Sequence, residues 1–170
     1  AQGFPGGKAG SEQIGAYRFD TGPSLVTMPE VFDQLFSETG ERREAFISLE
    51  PLDEICRYHF ADGSNLTSYS DIEKFAAEVE SKTNDTGADL LRFLEYSGRI
   101  HDITSDLFLR KSLHEVPTYS NLKALRSILS LPRIDVLRSM DRAVGSFFSD
   151  PRMVQFLDRY ATYNGSNPYR

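Results

Sequence analysis

The stretch Cys56-Arg57-Tyr58-His59-Phe60-Ala61-Asp62-Gly63-Ser64-Asn65-Leu66-Thr67-Ser68-Tyr69-Ser70-Asp71-Ile72-Glu73-Lys74-Phe75-Ala76-Ala77-Glu78-Val79 decides the fold class, because the period of its apolar residues changes within it. Cys56, Tyr58 and Phe60 alternate with Arg57 and His59, the pattern of a strand with one buried and one wet face. Asp62-Gly63 is a hairpin turn, since both residue types tolerate positive φ, and Leu66 to Tyr69 is the return strand. Ser70 and Glu73 then have the spacing of a capping box, and Ile72, Phe75, Ala76 and Val79 follow at helical intervals. A hairpin leads directly into an amphipathic helix.

Upstream, Phe46 to Leu49 read as a further strand. Before it stands a helix with Thr27 as N-cap, Glu30 completing a capping box, and Pro29 in the first turn, where its missing N–H costs nothing. Val31, Phe32, Leu35 and Phe36 form one stripe on that helix, and Gly40 supplies a left-handed C-terminal residue. Residues 1–24 read as glycine-rich loop with one short strand, Tyr17 and Phe19 on one side and Arg18 on the other.

Downstream, the pattern is helical. A long helix is expected from about Thr86 to Leu109, with Leu90, Phe93, Leu94, Ser97, Ile100, Ile103 and Leu107 on one face. Pro117 breaks the pattern, and a helix carrying Leu122, Leu125 and Leu129 ends before Pro132. Val136, Leu137, Met140, Val144, Phe147 and Phe148 mark the next helix. Asp150-Pro151 opens the last one, with Met153, Val154, Leu157 and Ala161 inward and Gly165 closing it. The order is loop, helix, small antiparallel sheet, helical block, which is α+β. Residues 1–24 lack a core of their own and read as the edge of a neighbouring domain, leaving 25–170 as the main one.

At 170 residues, with 39% hydrophobic and 26% charged residues, the chain can bury a core and carries no disorder signature. Nineteen basic residues against 25 acidic ones give a net charge of −6, which argues against nucleic acid as a partner. The lone thiol, Cys56, can form neither an internal disulfide nor a zinc site by itself, fits a reducing compartment, and reads as a small core residue. His59, His101 and His114 fall on different elements, so no metal site is expected. No apolar run approaches the roughly 20 residues of a membrane span. No leader sequence is visible, and a start at Ala1 inside a glycine-rich phrase reads as an internal piece of a longer chain.

Two segments have the chemistry of ligand contacts. Gly6-Gly7-Lys8-Ala9-Gly10 could bring backbone N–H groups close to phosphate oxygens, with Lys8 adding a charge. By spacing alone it reads as a flexible loop, and it is not the G-x-G-x-x-G dinucleotide fingerprint, which the chain lacks. Phe19-Asp20-Thr21-Gly22-Pro23-Ser24 makes a rigid corner at a strand end, either a ligand contact or a plain turn.

Taken in order, Gly6 to Ser11, Tyr17 to Ser24, Thr27-Met28-Pro29-Glu30-Val31-Phe32, Tyr58 to Ser64, Phe148-Ser149-Asp150-Pro151-Arg152 and Gly165-Ser166-Asn167-Pro168-Tyr169 resemble the bacterial carotenoid desaturases of the phytoene desaturase type. The first block is shared by many flavin amine-oxidase-like enzymes; the ordered set is more specific. The resemblance implies a Rossmann-type FAD domain, of which 1–24 would be a remnant edge, and a substrate-binding domain over 25–170. It implies that Gly6, Gly7 and Lys8 lie against the flavin nucleotide, with Lys8 where the family more often has Arg, a loss of the planar fork. Asp20, Gly22 and Pro23 would lie near the flavin ring.

The phosphate-binding fingerprint would precede Ala1 and a second flavin-contacting segment would follow Arg170, so the chain alone is expected neither to retain FAD nor to turn over substrate. The implied reaction is hydride abstraction from a long hydrophobic polyene to add conjugated double bonds, with no catalytic residue assignable. Relatives that isomerise or saturate carotenoids are the alternative, and a non-catalytic binding domain a third reading.

The implied location is cytoplasmic, peripheral on the inner face of the cell membrane. Leu107-Phe108-Leu109-Arg110-Lys111 fits such a membrane contact, or equally a helix end whose cations complement the dipole. Phe147, Phe148, Phe156, Tyr160 and Tyr163 read as ordinary core or, by the resemblance, as the wall of a polyene tunnel. Oligomeric state is not encoded legibly.

Overall fold

The computed structural model describes residues 9–23, 25–108, 134–135 and 137–170. Gly6, Gly7, Lys8, His114, the Arg110-Lys111 pair and the expected helix through Leu122, Leu125 and Leu129 lie outside them. The chain divides into two units, Ala1–Pro51 and Leu52–Arg170.

In the first unit, β1 (Ser11–Ile14) and β2 (Tyr17–Asp20) form an antiparallel hairpin with Ser11 opposite Asp20 and Ile14 opposite Tyr17. The sequence reading had one strand here. Ser11-Glu12-Gln13-Ile14 has a single apolar residue and so no alternation to read, and the second strand is set by the turn, where Gly15 takes φ 62°. Helix α1 spans Pro29–Glu38, but its N-cap is Met28 rather than Thr27, without a side-chain cap bond. Pro29 is the reason: it excludes the preceding residue from the helical region, so Met28 becomes the boundary and its carbonyl accepts from Val31 N at 3.1 Å. Gly40 closes the helix at φ 79°.

The expected strand at Phe46–Leu49 does not form; a 3-10 turn, Arg43–Ala45, is followed by irregular chain. Arg43 donates to Asp33 Oδ1 at 2.6 Å and to the Ile47 carbonyl at 2.9 Å, so a backbone acceptor that a strand would use is taken by a side chain. No described residue of this unit is buried, and Val31, Phe32 and Leu35 of the α1 stripe are exposed.

The second unit holds the core. Strands β3 (Glu54–His59) and β4 (Asn65–Tyr69) pair antiparallel, with Tyr58 opposite Leu66 and an irregularity between Glu54 and Cys56. The turn between them is as expected: Gly63 has φ 82°, and Asp62 accepts from Ser64 N at 2.9 Å. Helix α2 (Ile72–Lys82) is capped by Asp71, whose carboxylate accepts from Lys74 N at 2.9 Å, one residue beyond the expected Ser70. Ser70 cannot serve because its own N–H is tied to the Asp53 carbonyl at 3.0 Å, which holds it at the strand end. Helix α3 spans Gly87–Phe108, close to the expected range.

The expected helix over Val136–Phe148 shrinks to α4, Met140–Val144, capped by Ser139. The extended backbone of Ser139, ψ 156°, sets the start at Met140, Asp135 further back is left-handed at φ 58°, and Leu137 is fully exposed. Helix α5 (Pro151–Asp158) starts at the expected Asp150 cap, continues as a 3-10 segment, Arg159–Asn164, and ends at Gly165 with φ 65°.

Leu66 of β4, Phe75 and Val79 of α2, Leu90 and Phe93 of α3, Val144, Phe148, and Met153, Phe156 and Leu157 of α5 make one buried cluster. Phe93 meets Phe147 and Phe148 edge-on at 5.6 and 5.5 Å between ring centres, and Phe156 meets Tyr58 and Phe75 at 4.7 and 5.7 Å. The architecture is helices with two separate two-stranded antiparallel sheets, α+β as expected, though the sequence reading had only one sheet.

Candidate functional site

The described cofactor-contact candidates sit at the open end of the β1–β2 hairpin. Asp20 is the last residue of β2, exposed, with its carboxylate 3.7 Å from Arg18. Thr21 N donates to the Gly10 carbonyl at 2.9 Å, so Gly10 and the Asp20–Pro23 corner lie side by side. A Cβ added at Gly10 would come within 3.1 Å of Thr21 Oγ1. The missing side chain of Gly10 thus serves its packing against Thr21, and the Asp20–Pro23 corner beside it is largely exposed. Asp20, Gly22 and Pro23, to which the resemblance gives a flavin contact, stand together on this largely exposed corner.

In the second unit, a cleft of about 230 Å³ is lined by Phe93, Tyr96, Ile100, Asp135, Met140 and Val144 among others. Helix α3 supplies Phe93, Tyr96 and Ile100 from successive turns of one face. The turn before α4 supplies Asp135 and Arg138. The Tyr96 hydroxyl donates to Asp135 Oδ2, and Arg138 Nε donates to the same oxygen at 2.8 Å. Arg138 also reaches Tyr96 Oη and Ser146 Oγ, each at 3.3 Å. The Tyr96 hydrogen bond, aided by Arg138, holds the Asp135 carboxyl below its usual range, while burial raises the Tyr96 phenol. The cluster is thus an ionised carboxylate with a neutral phenol. None of these three residues was singled out from sequence; the only trace was an Asp and an Arg three apart where a helix was expected.

The Ser149-Asp150-Pro151-Arg152 motif belongs to structure rather than to a ligand. Asp85 Oδ1 accepts from Ser149 N at 2.7 Å and Ser149 Oγ at 2.8 Å, and its Oδ2 from Asp150 N at 3.1 Å. In return Asp150 accepts from Asn84 N at 3.0 Å, caps α5 through Arg152 N at 2.9 Å, and pairs with the Arg152 guanidinium at 2.7 Å. Two buried carboxylates thereby join loops some sixty residues apart, a separation visible in the 64 to 66 residues between partners.

Cys56 and Tyr58 on β3 face Arg159. Its guanidinium bonds Tyr58 and, at 2.6 Å, the Tyr163 hydroxyl, and lies 5.1 Å from the Tyr58 ring centre. Cys56 is only half-buried, and Arg159 approaches its sulfur at 3.8 Å. His59 and His101 are both exposed. Among the described residues no three His, Cys, Asp or Glu converge as metal ligands. No helix among them is long and apolar enough to cross a membrane.

No protein-family model matches the chain. Curated relatives do match it along nearly its whole length. A 1-hydroxycarotenoid 3,4-desaturase of Flavobacterium sp. is 34% identical over 166 residues, covering 98% of this chain and 34% of the relative. A 4,4'-diapolycopene oxygenase of Methylomonas sp is 34% identical over 164 residues, 96% of this chain and 33% of the relative. A zeta-carotene-forming phytoene desaturase of Myxococcus xanthus is 31% identical over 166 residues, 97% of this chain and 31% of the relative. Along nearly its whole length the chain is thus similar to carotenoid desaturases. It spans about a third of the length of these relatives.

Proposed function

We propose that the chain is part of an FAD-dependent carotenoid desaturase, and that it supplies much of the substrate-binding domain of an amine-oxidase-like enzyme. The observation that carries this reading is the similarity itself: named carotenoid desaturases align over 97–98% of the chain, without a block of it left over. The substrate class is a long hydrophobic polyene. Bound FAD would supply hydride acceptance, with a hydride and a proton leaving adjacent carbons, two electrons passing to the flavin and one double bond formed. Residues 1–24 would be the edge of the flavin domain, with Gly6, Gly7, Lys8, Asp20, Gly22 and Pro23 as its contacts, and the phenyl-rich second unit would shape the apolar path. The location proposed is cytoplasmic, peripheral at the inner face of the membrane.

The names of the relatives include an oxygenase, so the second reading is a flavin-dependent reaction of the same family that is not a desaturation. The test is the visible spectrum of the full protein in mild detergent. A flavin band that bleaches when a linear carotene is added without oxygen is the expected result. A bound flavin that never bleaches while the carotene changes geometry moves the assignment to an isomerase. Absence of flavin from folded full protein overturns it.

A further inference from the structure

A guanidinium drawn partly out of water needs an anion or other acceptors in exchange for its hydration. Arg43 and Arg152, both partly buried, have carboxylates, Asp33 and Asp150. Arg159, partly buried as well, has none among the described residues. Its partners are the Tyr58 and Tyr163 hydroxyls and, at 3.8 Å, the Cys56 sulfur. Cys56 and Tyr58 stand two apart on β3, and Tyr163 lies four residues beyond Arg159 on the same 3-10 segment. The guanidinium carbon is 5.1 Å from the Tyr58 ring centre and 5.5 Å from that of Tyr163. Tyr160 stacks on Tyr163 at 5.8 Å, and both of these rings are exposed. Burial raises the Tyr58 and Tyr160 phenols, so they stay neutral and leave the positive charge uncancelled.

An arginine carries five N–H donors in one plane. The Arg159 bonds take two from Nη1 and one from Nη2. The Nε–H and the second Nη2 N–H have no acceptor among the described residues. A carboxylate or phosphate can meet two such donors with two of its oxygens. We propose that Arg159, held in place by Tyr58 and Tyr163, is an oxyanion site that takes one carboxylate or phosphate group on the second unit. Tyr58 and Tyr163 are positioning residues: they fix the guanidinium plane beforehand, which lowers the ordering cost of binding. A clamp that only ties β3 to the 3-10 segment would need the same two hydroxyls but would not respond to anions.

Cys56 can report on the site, since its sulfur lies beside Arg159 Nη1. An anion on the guanidinium occupies the space and cancels the charge next to the sulfur, so alkylation, which proceeds through the thiolate, should slow. The experiment alkylates the full protein with iodoacetamide at fixed ionic strength and follows the Cys56 peptide by mass spectrometry. Replacing chloride by inorganic phosphate or by acetate should slow the reaction by about threefold or more, and the effect should saturate. A response to one of the two anions alone supports the site and names its group. Arg159→Gln should abolish the response, and Arg159→Lys, which keeps the charge without the planar fork, should weaken it. Rates in phosphate and acetate equal to those in chloride overturn the inference, and that comparison needs no variant to fold. An undiminished response in Arg159→Gln overturns it too, as does a Cys56 that does not react in the folded full protein, because the site is then closed to solutes.

Discussion

At the residue scale, buried carboxylates set the response to pH. Asp150 is 1% exposed, and the Arg152 guanidinium and the backbone donors around it pull its carboxyl down to about 2 from an unfolded value of 3.8. A depressed acid contributes stability that is complete above the unfolded pKa and is lost as pH falls through the folded one. That contribution is about 2 kcal/mol, lost between roughly pH 4 and pH 2. Asp158 runs the other way. It is 5% exposed, burial and the neighbouring Asp141 carboxylate raise it to about 6, and among the described residues its Oδ1 has no partner. A raised acid favours folding fully below the unfolded pKa and loses that contribution as pH rises through about 6, here about 3 kcal/mol. Urea midpoints of wild type and Asp158→Asn across pH 4–8 check this: the variant should lose the decline between pH 4 and 7, and parallel curves would refute the assignment. Asp150→Ala should cost about 2 kcal/mol at pH 7, since it removes the α5 cap and the acceptor of the half-buried Arg152 guanidinium and the Asn84 N–H. A loss below 1 kcal/mol in the same titration would mean that water replaces the carboxylate.

At the scale of elements, caps and crossings are decided by geometry that composition conceals. Asp71→Ala should destabilise by about 1 kcal/mol through loss of the α2 cap, whereas Ser70→Ala and Thr27→Ala should change little. Two glycines of α3 make an opposed pair. A Cβ at Gly87 would lie 3.0 Å from Ala76 Cβ and 3.2 Å from the Ala76 carbonyl of α2, while at Gly98 nothing stands within 4 Å. Gly98→Ala should therefore raise stability by up to about 1 kcal/mol, the usual difference in a helix interior, and Gly87→Ala, at the first residue of α3 and crowded by Ala76, should lower it. Thermal unfolding of the two variants separates them; equal shifts would show that α2 yields. The elements most legible in sequence were those with two agreeing signals, as at Asp62-Gly63 between alternating runs and at Asp150-Pro151 before an apolar stripe. The misplaced ones had a single signal. Phe46–Leu49 has strand-like residues but no partner among the described residues, and Val136–Phe148 has helical spacing interrupted by an extended Ser139.

At the scale of the whole molecule, stability is distributed unevenly between the two units. Every fully buried described residue lies in Leu52–Arg170. Amide exchange should find its slowest protons in β4, α2, α3 and α5, and fast exchange in the β1–β2 hairpin and α1. Slow exchange throughout α1 would show protection that the described residues do not supply. Families recognise themselves in ordered short blocks, and those blocks were legible here. Their roles were not: the Ser149–Arg152 block proves to be a loop lock with Asp85, and the Tyr96, Asp135 and Arg138 cleft lies in no block at all.

The sequence by itself determined the α+β class, the β3–β4 hairpin, the spans of α2, α3 and α5, and the family resemblance. Each of these follows from local periodicity, from turn chemistry or from ordered motifs, which are properties of neighbouring residues. Tertiary structure decided which carboxylates are buried, which residue caps each helix, and which side chains line the cleft. Those depend on groups distant in the chain, such as Tyr96 and Asp135, brought within a hydrogen bond only when α3 and the turn before α4 pack on one core.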